Sequence, residues 1–249
     1  MESTPTSSFA GIEDQYVKYL PLISEIRKRL FFLVAILLIT SAIGFIYYQN
    51  IIAFCLSLFD LEGVNVVFTS PFQFVSLAFT SAFLVATVII FPLIVYQVLS
   101  FLRPALHPKE YRTILGLLPF SLVLFAGGFG FGIMIMRYVI QIFYQKSQEL
   151  QIGNYLDISN LLSQILVTSI LMGLAFQFPV VLTVLVRLKV IRYKTLEKQR
   201  LWAYVASAIF ATLLPPTDLL SLVLLFIPLA LLFELTLILN RWILRAHKY

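Results

Sequence analysis

Charged side chains are scarce in this sequence. Asp, Glu, Lys and Arg make up only 12% of its 249 residues, hydrophobic residues make up 60%, and the mean hydropathy is +0.95. So little polar surface cannot cover a water-soluble particle of this size. The sequence therefore predicts an all-α, polytopic membrane protein whose surroundings are the lipid bilayer, and no nucleic acid among its partners.

Residues that carry most protein chemistry are also rare. The single cysteine, Cys55, excludes an internal disulfide and a Cys-rich metal site, and the two histidines lie far apart in the chain. No HExxH, GxSxG or paired-carboxylate motif occurs. The glycine run 127–132 lies inside an apolar run rather than after a strand, so the spacing of Gly128 and Gly132 predicts close helix packing instead of nucleotide binding. We expect no metal, no cofactor and no enzymatic activity.

Ionisable residues are almost missing from the apolar runs. The uncharged runs that form the first five predicted spans contain no acid, lysine or histidine, and Gln177 is their main polar interruption. Glu234, toward the cytoplasmic end of the last predicted span, is interpreted as a snorkelling or paired structural acid, two turns before Arg241 on the same helical face. A small-solute secondary transporter, the alternative function, would need inverted repeats and a buried charged site. A purely structural membrane scaffold remains a third reading.

The uncharged runs set the number of membrane spans, because a helix needs about 20 apolar residues to cross the hydrocarbon. Runs 30–48, 64–102, 114–136 and 158–186 are long enough, and Pro71 marks the true start of the second span. Runs 201–214 and 219–233 are short. They predict two short spans, or else a re-entrant hairpin around the PPTD turn. We expect six transmembrane helices in one domain, 1–249, preceded by a flexible cytoplasmic tail over residues 1–18.

Basic residues set the orientation, since short cytoplasmic loops are enriched in Lys and Arg. All 18 lysines and arginines except Arg137 and Lys146 fall on one side of the six spans. This places both termini in the cytoplasm. No apolar segment precedes Leu30, so we expect no cleaved signal peptide.

Five short segments occur in order along the chain: LISEIRKRL at 22–30, FLRPALHPKEYR at 101–112, FAGGFGF at 125–131, FQFP at 176–179 and LLPPTDLLS at 213–221. They resemble, in the same order, the HLxELRxRL, FxxPxLxxxExR, FxxGxxF, FExP and TPPDxxSQ motifs of the TatC family. TatC is the multi-span component of the twin-arginine protein translocase. The resemblance covers essentially the whole membrane part.

The sequence departs from the family pattern at four positions: Leu22 replaces a histidine, Gln177 a common carboxylate and Leu222 a glutamine, and Thr217 is an additional residue in the outer turn. The first three change side chains within the motifs, and the fourth lengthens the turn. A protonation role at position 177 is therefore not carried over to this chain.

The resemblance implies a receptor and core subunit that binds twin-arginine signal peptides and helps to export folded proteins. It further implies a location in the cell inner membrane, partnership with single-span TatA and TatB type proteins, and a homo-oligomer within the complex. Those partners would be recruited along the outer-end polar positions Gln177 and Asp218 and the faces of the last two spans, and Pro71 is counted among these assembly positions.

The signal peptide itself is expected at the cytoplasmic elbow, 101–112. A guanidinium offers a fork of donors that a carboxylate accepts, and lysine lacks that geometry. We expect Glu110 to accept one or both signal arginines and Glu25 to complete the site, with Lys109 and Arg112 excluding other cations. Arg27 orients Glu25 only if the segment is not a regular helix.

Two further residues shape the elbow, and three acids have structural alternatives. Phe101 and Pro104 are expected to set the shape of the elbow. Glu110 could instead complement the dipole of the third helix, and Glu25 could pair with Lys28 or Arg29. Asp218 is more simply a turn and cap residue.

Overall fold

The computed structural model describes residues 7–58, 65–67, 70–103, 108–149, 155–215 and 218–246. Ten helices and two short strands occur within these residues, in the following order: α1 (Ser7–Ile46), α2 (Tyr48–Leu58), β1 (Asn65–Val67), α3 (Pro71–Phe101), α4 (Pro108–Leu115), α5 (Leu117–Glu149), β2 (Tyr155–Asp157), α6 (Ile158–Ala175), α7 (Phe178–Arg187), α8 (Tyr193–Lys198), α9 (Arg200–Leu213) and α10 (Leu219–Ala246).

The predicted helical membrane fold is confirmed. The described part of the chain contains five helical segments long and apolar enough to cross a bilayer: 23–46, 72–101, 117–149, 159–187 and 219–241. Helix α9 is apolar but only 14 residues long. The structure therefore supports five spans by length, and the sixth predicted span corresponds to this shorter helix.

The boundaries of the spans differ from the uncharged runs in informative ways. Helix α3 begins at Pro71, as predicted, with Ser70 as its N-cap and the Gln73 side chain accepting from the Ser70 N–H. Helix α1 begins at Ser7, so most of the expected tail is helical. Helix α5 continues past Arg137 to Glu149, because a charge on an exposed face does not end a helix. The fourth run is divided into α6 and α7 at Gln177.

Two helix pairs pack through glycine. A Cβ on Gly132 of α5 would lie 2.6 Å from Ser169 Cα of α6, and one on Gly128 would lie 2.7 Å from the Met172 carbonyl oxygen. Helix α1 packs on α3, where a Cβ on Gly44 would lie 3.1 Å from the Ala82 carbonyl oxygen. The close approach predicted from the Gly128 and Gly132 spacing is confirmed, and its partner is α6.

The ends of α3 and α6 opposite the elbow are joined by polar contacts. Strand β1 pairs in parallel with β2, with Val67 opposite Asp157. Gln73 donates to Asp157 Oδ2 at 2.5 Å, and the Ser159 hydroxyl donates to the Gln73 carbonyl at 3.2 Å. Asp157 also caps α6 by accepting from the Ser159 and Asn160 N–H groups. These contacts fix the separation of α3 and α6 at the end opposite the elbow.

The turn between α9 and α10 lies beside the middle of α6. The Thr168 hydroxyl, fully buried, donates to the carbonyl of Pro215. Thr168 lies in the middle of the 18-residue α6. At 1.5 Å per residue, about 15 Å of α6 extends beyond this contact. The turn between α9 and α10 thus lies well short of the end of α6 that carries Asp157. Helix α9 is short, as predicted, but the prediction of a short last span was wrong: the segment 219–241 of α10 is 23 residues long, because the charge of Glu234 does not end the helix.

Candidate functional site

The elbow end of the molecule carries Glu25, which lies on the exposed side of α1. Its side chain retains 45% of its accessible surface and forms an ion pair with Arg29, one turn later in the helix. Arg29 Nη2 and Nε both donate to the same carboxylate oxygen, Oε1, at 2.7 and 3.1 Å. The alternative pairing of Glu25 with Arg29 is therefore present in the structure, and it leaves the carboxylate partly open.

Arg29 in turn ties α1 to the end of α3. Its Nη1 donates to the side-chain oxygen of Gln97 at 2.8 Å and to the Gln97 carbonyl at 3.1 Å. The guanidinium carbon lies 6.0 Å from the centre of the Phe101 ring, a cation–π contact. Phe101 is the last residue of α3. Glu25 is thus connected through one side chain to the residue that begins the elbow.

Arg27 does not orient Glu25 in this structure. Helix α1 is regular through this segment, and side chains two residues apart point in different directions. The orienting partner is Arg29, and Arg27 is exposed. A role for Arg27 in binding a peptide remains a prediction.

The elbow contains its own short helix, α4, which the sequence reasoning assigned to the start of the third span. Ile114 anchors α4, being fully buried in a cluster that includes Phe91 and Leu99 of α3. The Arg103 guanidinium lies 5.7 Å from the centre of the Tyr111 ring, which brings the two ends of the elbow together. Pro104 lies outside the described residues.

Glu110 is described only by its backbone. It is the third residue of α4, directly before Tyr111. Its position in the first turn is the one expected of an acid that complements a helix dipole, and it is also next to the contact that closes the elbow.

Gln177 lies at the break between α6 and α7, where its side chain is hydrogen-bonded to Ser121 of α5. It accepts a hydrogen bond from the buried Ser121 hydroxyl at 2.5 Å and donates to the Ser121 carbonyl at 3.0 Å. The 10-residue α7 separates it from Arg187, whereas the 18-residue α6 separates it from Asp157. Gln177 is therefore closer along these helices to Arg187 than to Asp157, and its role in assembly stays a prediction.

The other two singled-out acids have structural partners. Asp218 accepts from the Ser221 N–H at 2.9 Å and from the Ser221 hydroxyl at 2.7 Å, which confirms its expected cap role at the start of α10. Glu234 accepts from the Tyr204 hydroxyl at 2.6 Å, with Arg200 Nη1 at 3.6 Å. The expected structural pairing of Glu234 thus runs to α9, not along α10 to Arg241.

Sequence reasoning missed Gln97 and the central place of Arg29. Arg29 lies within the first matched motif and Gln97 lies just before the second, but their contact joins residues 68 positions apart, which no local pattern reveals. The signal available was a polar Gln near the end of an otherwise apolar α3.

The described residues hold no group of three or more His, Cys, Asp or Glu side chains that could bind a metal ion. Two cavities among them are lined mainly by apolar residues. One of about 340 Å³ lies between α7, α9 and α10 and is lined by residues such as Phe178, Phe210 and Leu229. These grooves offer packing surfaces rather than groups for chemistry.

Comparison with known proteins gives a consistent set of relatives. A family model described as "Sec-independent protein translocase protein (TatC)" matches residues 21–228. The protein TatCy of Bacillus subtilis is 30% identical over 88% of this chain and 87% of its own. TatC of Haemophilus influenzae is 31% identical over 89% of each chain. The crystal structure described as "Twin Arginine Translocase Receptor- TatC in DDM" matches 88% of this chain and 98% of that one, with 27% identity and a TM-score of 0.78.

Proposed function

Because the chain belongs to the TatC family of Sec-independent protein translocase proteins, we propose that it is the receptor subunit that binds twin-arginine signal peptides. In this role it helps to export folded proteins across the membrane and performs no enzymatic chemistry itself. The observation that carries the proposal is the partly exposed carboxylate of Glu25, which is connected through Arg29 to Phe101 at the start of the elbow.

The chemistry of this end of the molecule supports arginine as the ligand. A carboxylate accepts hydrogen bonds from a guanidinium in a planar, directional arrangement. Glu25 supplies one such group on α1, and Glu110 supplies a second at the start of α4. Arg27, Phe101 and Pro104 complete the proposed site.

The proposed setting is the cell inner membrane, with the elbow and both termini in the cytoplasm. Support comes from the one-sided distribution of basic residues. Single-span TatA and TatB type proteins and further copies of the chain are the proposed partners. The exposed apolar faces of α9 and α10, which include Leu213, Leu231 and Ile238, are available to them.

Asp218, Gln177 and Pro71 remain proposed assembly positions. The contacts of Asp218 with Ser221 and of Gln177 with Ser121 mean that any such role acts by holding helix ends in place. Pro71 would act in the same way, by fixing where α3 begins.

Binding of a twin-arginine peptide and of a twin-lysine control to the purified protein tests the proposal. Wild type is expected to bind the arginine peptide more tightly. Glu110→Gln keeps the size of the side chain and removes its charge, so affinity should fall about tenfold or more, the value of one hydrogen bond to a charged group. Glu197→Gln, an exposed acid on the same basic side, is the matched control. Unchanged binding by Glu110→Gln would defeat the receptor role.

A further inference from the structure

We propose that Arg29 is a resident guanidinium that makes Glu25 selective for arginine over lysine. This inference rests on the proposed function and concerns how the same site rejects the wrong cation. It assigns the discrimination to one ion pair inside the receptor, in addition to the basic residues of the elbow.

The first step is the way in which Arg29 uses the carboxylate. The two nitrogens of Arg29 that donate to Glu25, Nε and Nη2, both point at Oε1. Among the described residues, no hydrogen bond or ion pair joins the second oxygen, Oε2. Since Glu25 remains 45% exposed, Oε2 is an acceptor that an approaching guanidinium can reach without removing Arg29.

The second step is that Arg29 is held more firmly than the acid it pairs with. Its Nη1 bonds to both oxygens of Gln97, its charge lies over the face of Phe101, and its side chain is only 24% exposed. An incoming arginine that displaced it would leave the Gln97 oxygens without their donor. An incoming arginine that shares Glu25 with Arg29 therefore costs less free energy than one that displaces Arg29.

The third step follows from charge. Glu25 and Arg29 together are neutral, so a cation near them gains little from simple Coulomb attraction. A lysine ammonium is a compact, strongly hydrated point charge, and the neutral pair does not repay its loss of water. A guanidinium is less strongly hydrated and gains directional hydrogen bonds to Oε2. The resident arginine thus lowers the affinity for generic cations more than the affinity for arginine.

The test compares the dissociation constants of a twin-lysine and a twin-arginine peptide on the same protein sample. Their ratio does not depend on how much of the sample is folded. Arg29→Gln leaves Glu25 with its full charge, so binding of the lysine peptide should strengthen and the ratio should fall about tenfold. Arg29→Lys keeps the positive charge and should hold the ratio within about threefold of wild type. Lys28→Gln removes the same charge from the same helical turn without a contact to Glu25, and should leave the ratio unchanged.

The possible results separate this inference from the proposed function. If wild type binds neither peptide, the proposed function fails and the inference with it. If wild type prefers arginine and Arg29→Gln keeps the same ratio, Arg29 is only a structural tie and the inference alone is overturned. An equal fall in the ratio for Lys28→Gln also overturns it, because general surface charge would then explain the effect.

Discussion

At the scale of single residues, one side-chain pair joins the break between α6 and α7 to α5. Gln177 and Ser121 exchange two hydrogen bonds. An amide both donates and accepts, which an ionised carboxylate at this position cannot do. This chain therefore holds α5 against the break without any change of protonation.

A double-mutant cycle measures this pair. Gln177→Leu and Ser121→Ala should each lower the stability of the protein in detergent, and their combination should be less damaging than the sum. We expect a coupling of about 0.6 to 1.7 kcal/mol, the range found for hydrogen bonds between membrane helices. The readout is the free energy of unfolding. Strictly additive effects would show that the two residues do not act as a pair.

The residues of the candidate site differ in how far sequence predicts them. Motif matches identified Glu25, Phe101 and Glu110 as candidates, and the turn pattern predicted Asp218 as a cap. The Arg29–Gln97 bond was not predictable, because it depends on the register between α1 and α3. The division of the fourth run at Gln177 was not predicted either, although Pro179, in the first turn of α7, is a residue that favours the start of a new helix.

At the scale of helices, α5 and α6 pack closely because two glycines leave room for the backbone. A Cβ at position 132 would meet Ser169 Cα at 2.6 Å, well inside normal contact. By contrast, a Cβ at Gly130 would meet nothing within 4 Å. The glycine run thus contains positions that determine the helix spacing, Gly128 and Gly132, and a neighbour, Gly130, that does not.

Replacing Gly132 and Gly130 one at a time separates the effect of helix packing from that of helix propensity. Gly132→Ala should destabilise the protein by about 1 to 3 kcal/mol, because the two helices must move apart. Gly130→Ala should be neutral or stabilise by up to about 1 kcal/mol, the usual gain of alanine over glycine in a helix. Thermal unfolding in detergent compares the variants. Equal effects at both positions would contradict the proposed close packing.

Helix type was predictable at this scale, but helix ends were less so. Proline fixed the start of α3 at Pro71 because it suits a first turn and lacks an N–H. Charges were a poor guide for α5, since Arg137 and Lys146 lie on a helix that simply extends beyond the apolar run. The short strands β1 and β2 carry no visible pattern, being only three residues each.

At the scale of the whole molecule, the proposed function requires basic residues on one side of the membrane and few charged residues on the other. Five helical segments in the described chain have the length to span, and α10 is one of them, whereas α9 is shorter; the turn between α9 and α10 is held by Thr168. The apolar runs predicted the shortness of α9 but not the length of α10, which continues past Glu234. Length alone does not distinguish a thinned crossing from a re-entrant loop.

Cysteine labelling in intact cells tests this arrangement, starting from a Cys55→Ala background. A cysteine in place of Lys146 should react with a membrane-impermeant maleimide from outside, and one in place of Lys194 should react only after the membrane is opened. A cysteine at Thr217 should also react from outside if the last two helices cross the bilayer. Protection of that position before and after opening would favour a re-entrant hairpin, and reaction of Lys194→Cys from outside would reverse the orientation.

The most direct measurement places a photoreactive phenylalanine analogue at Phe101, beside Arg29, and another at Phe54, an exposed aromatic residue on α2 at the far end of α1. A twin-arginine signal peptide should cross-link to position 101 and not to position 54, and a twin-lysine peptide should give much less product at 101. Equal cross-linking at the two positions, or stronger cross-linking at 54, would contradict the claim that the peptide binds beside Glu25 and the elbow.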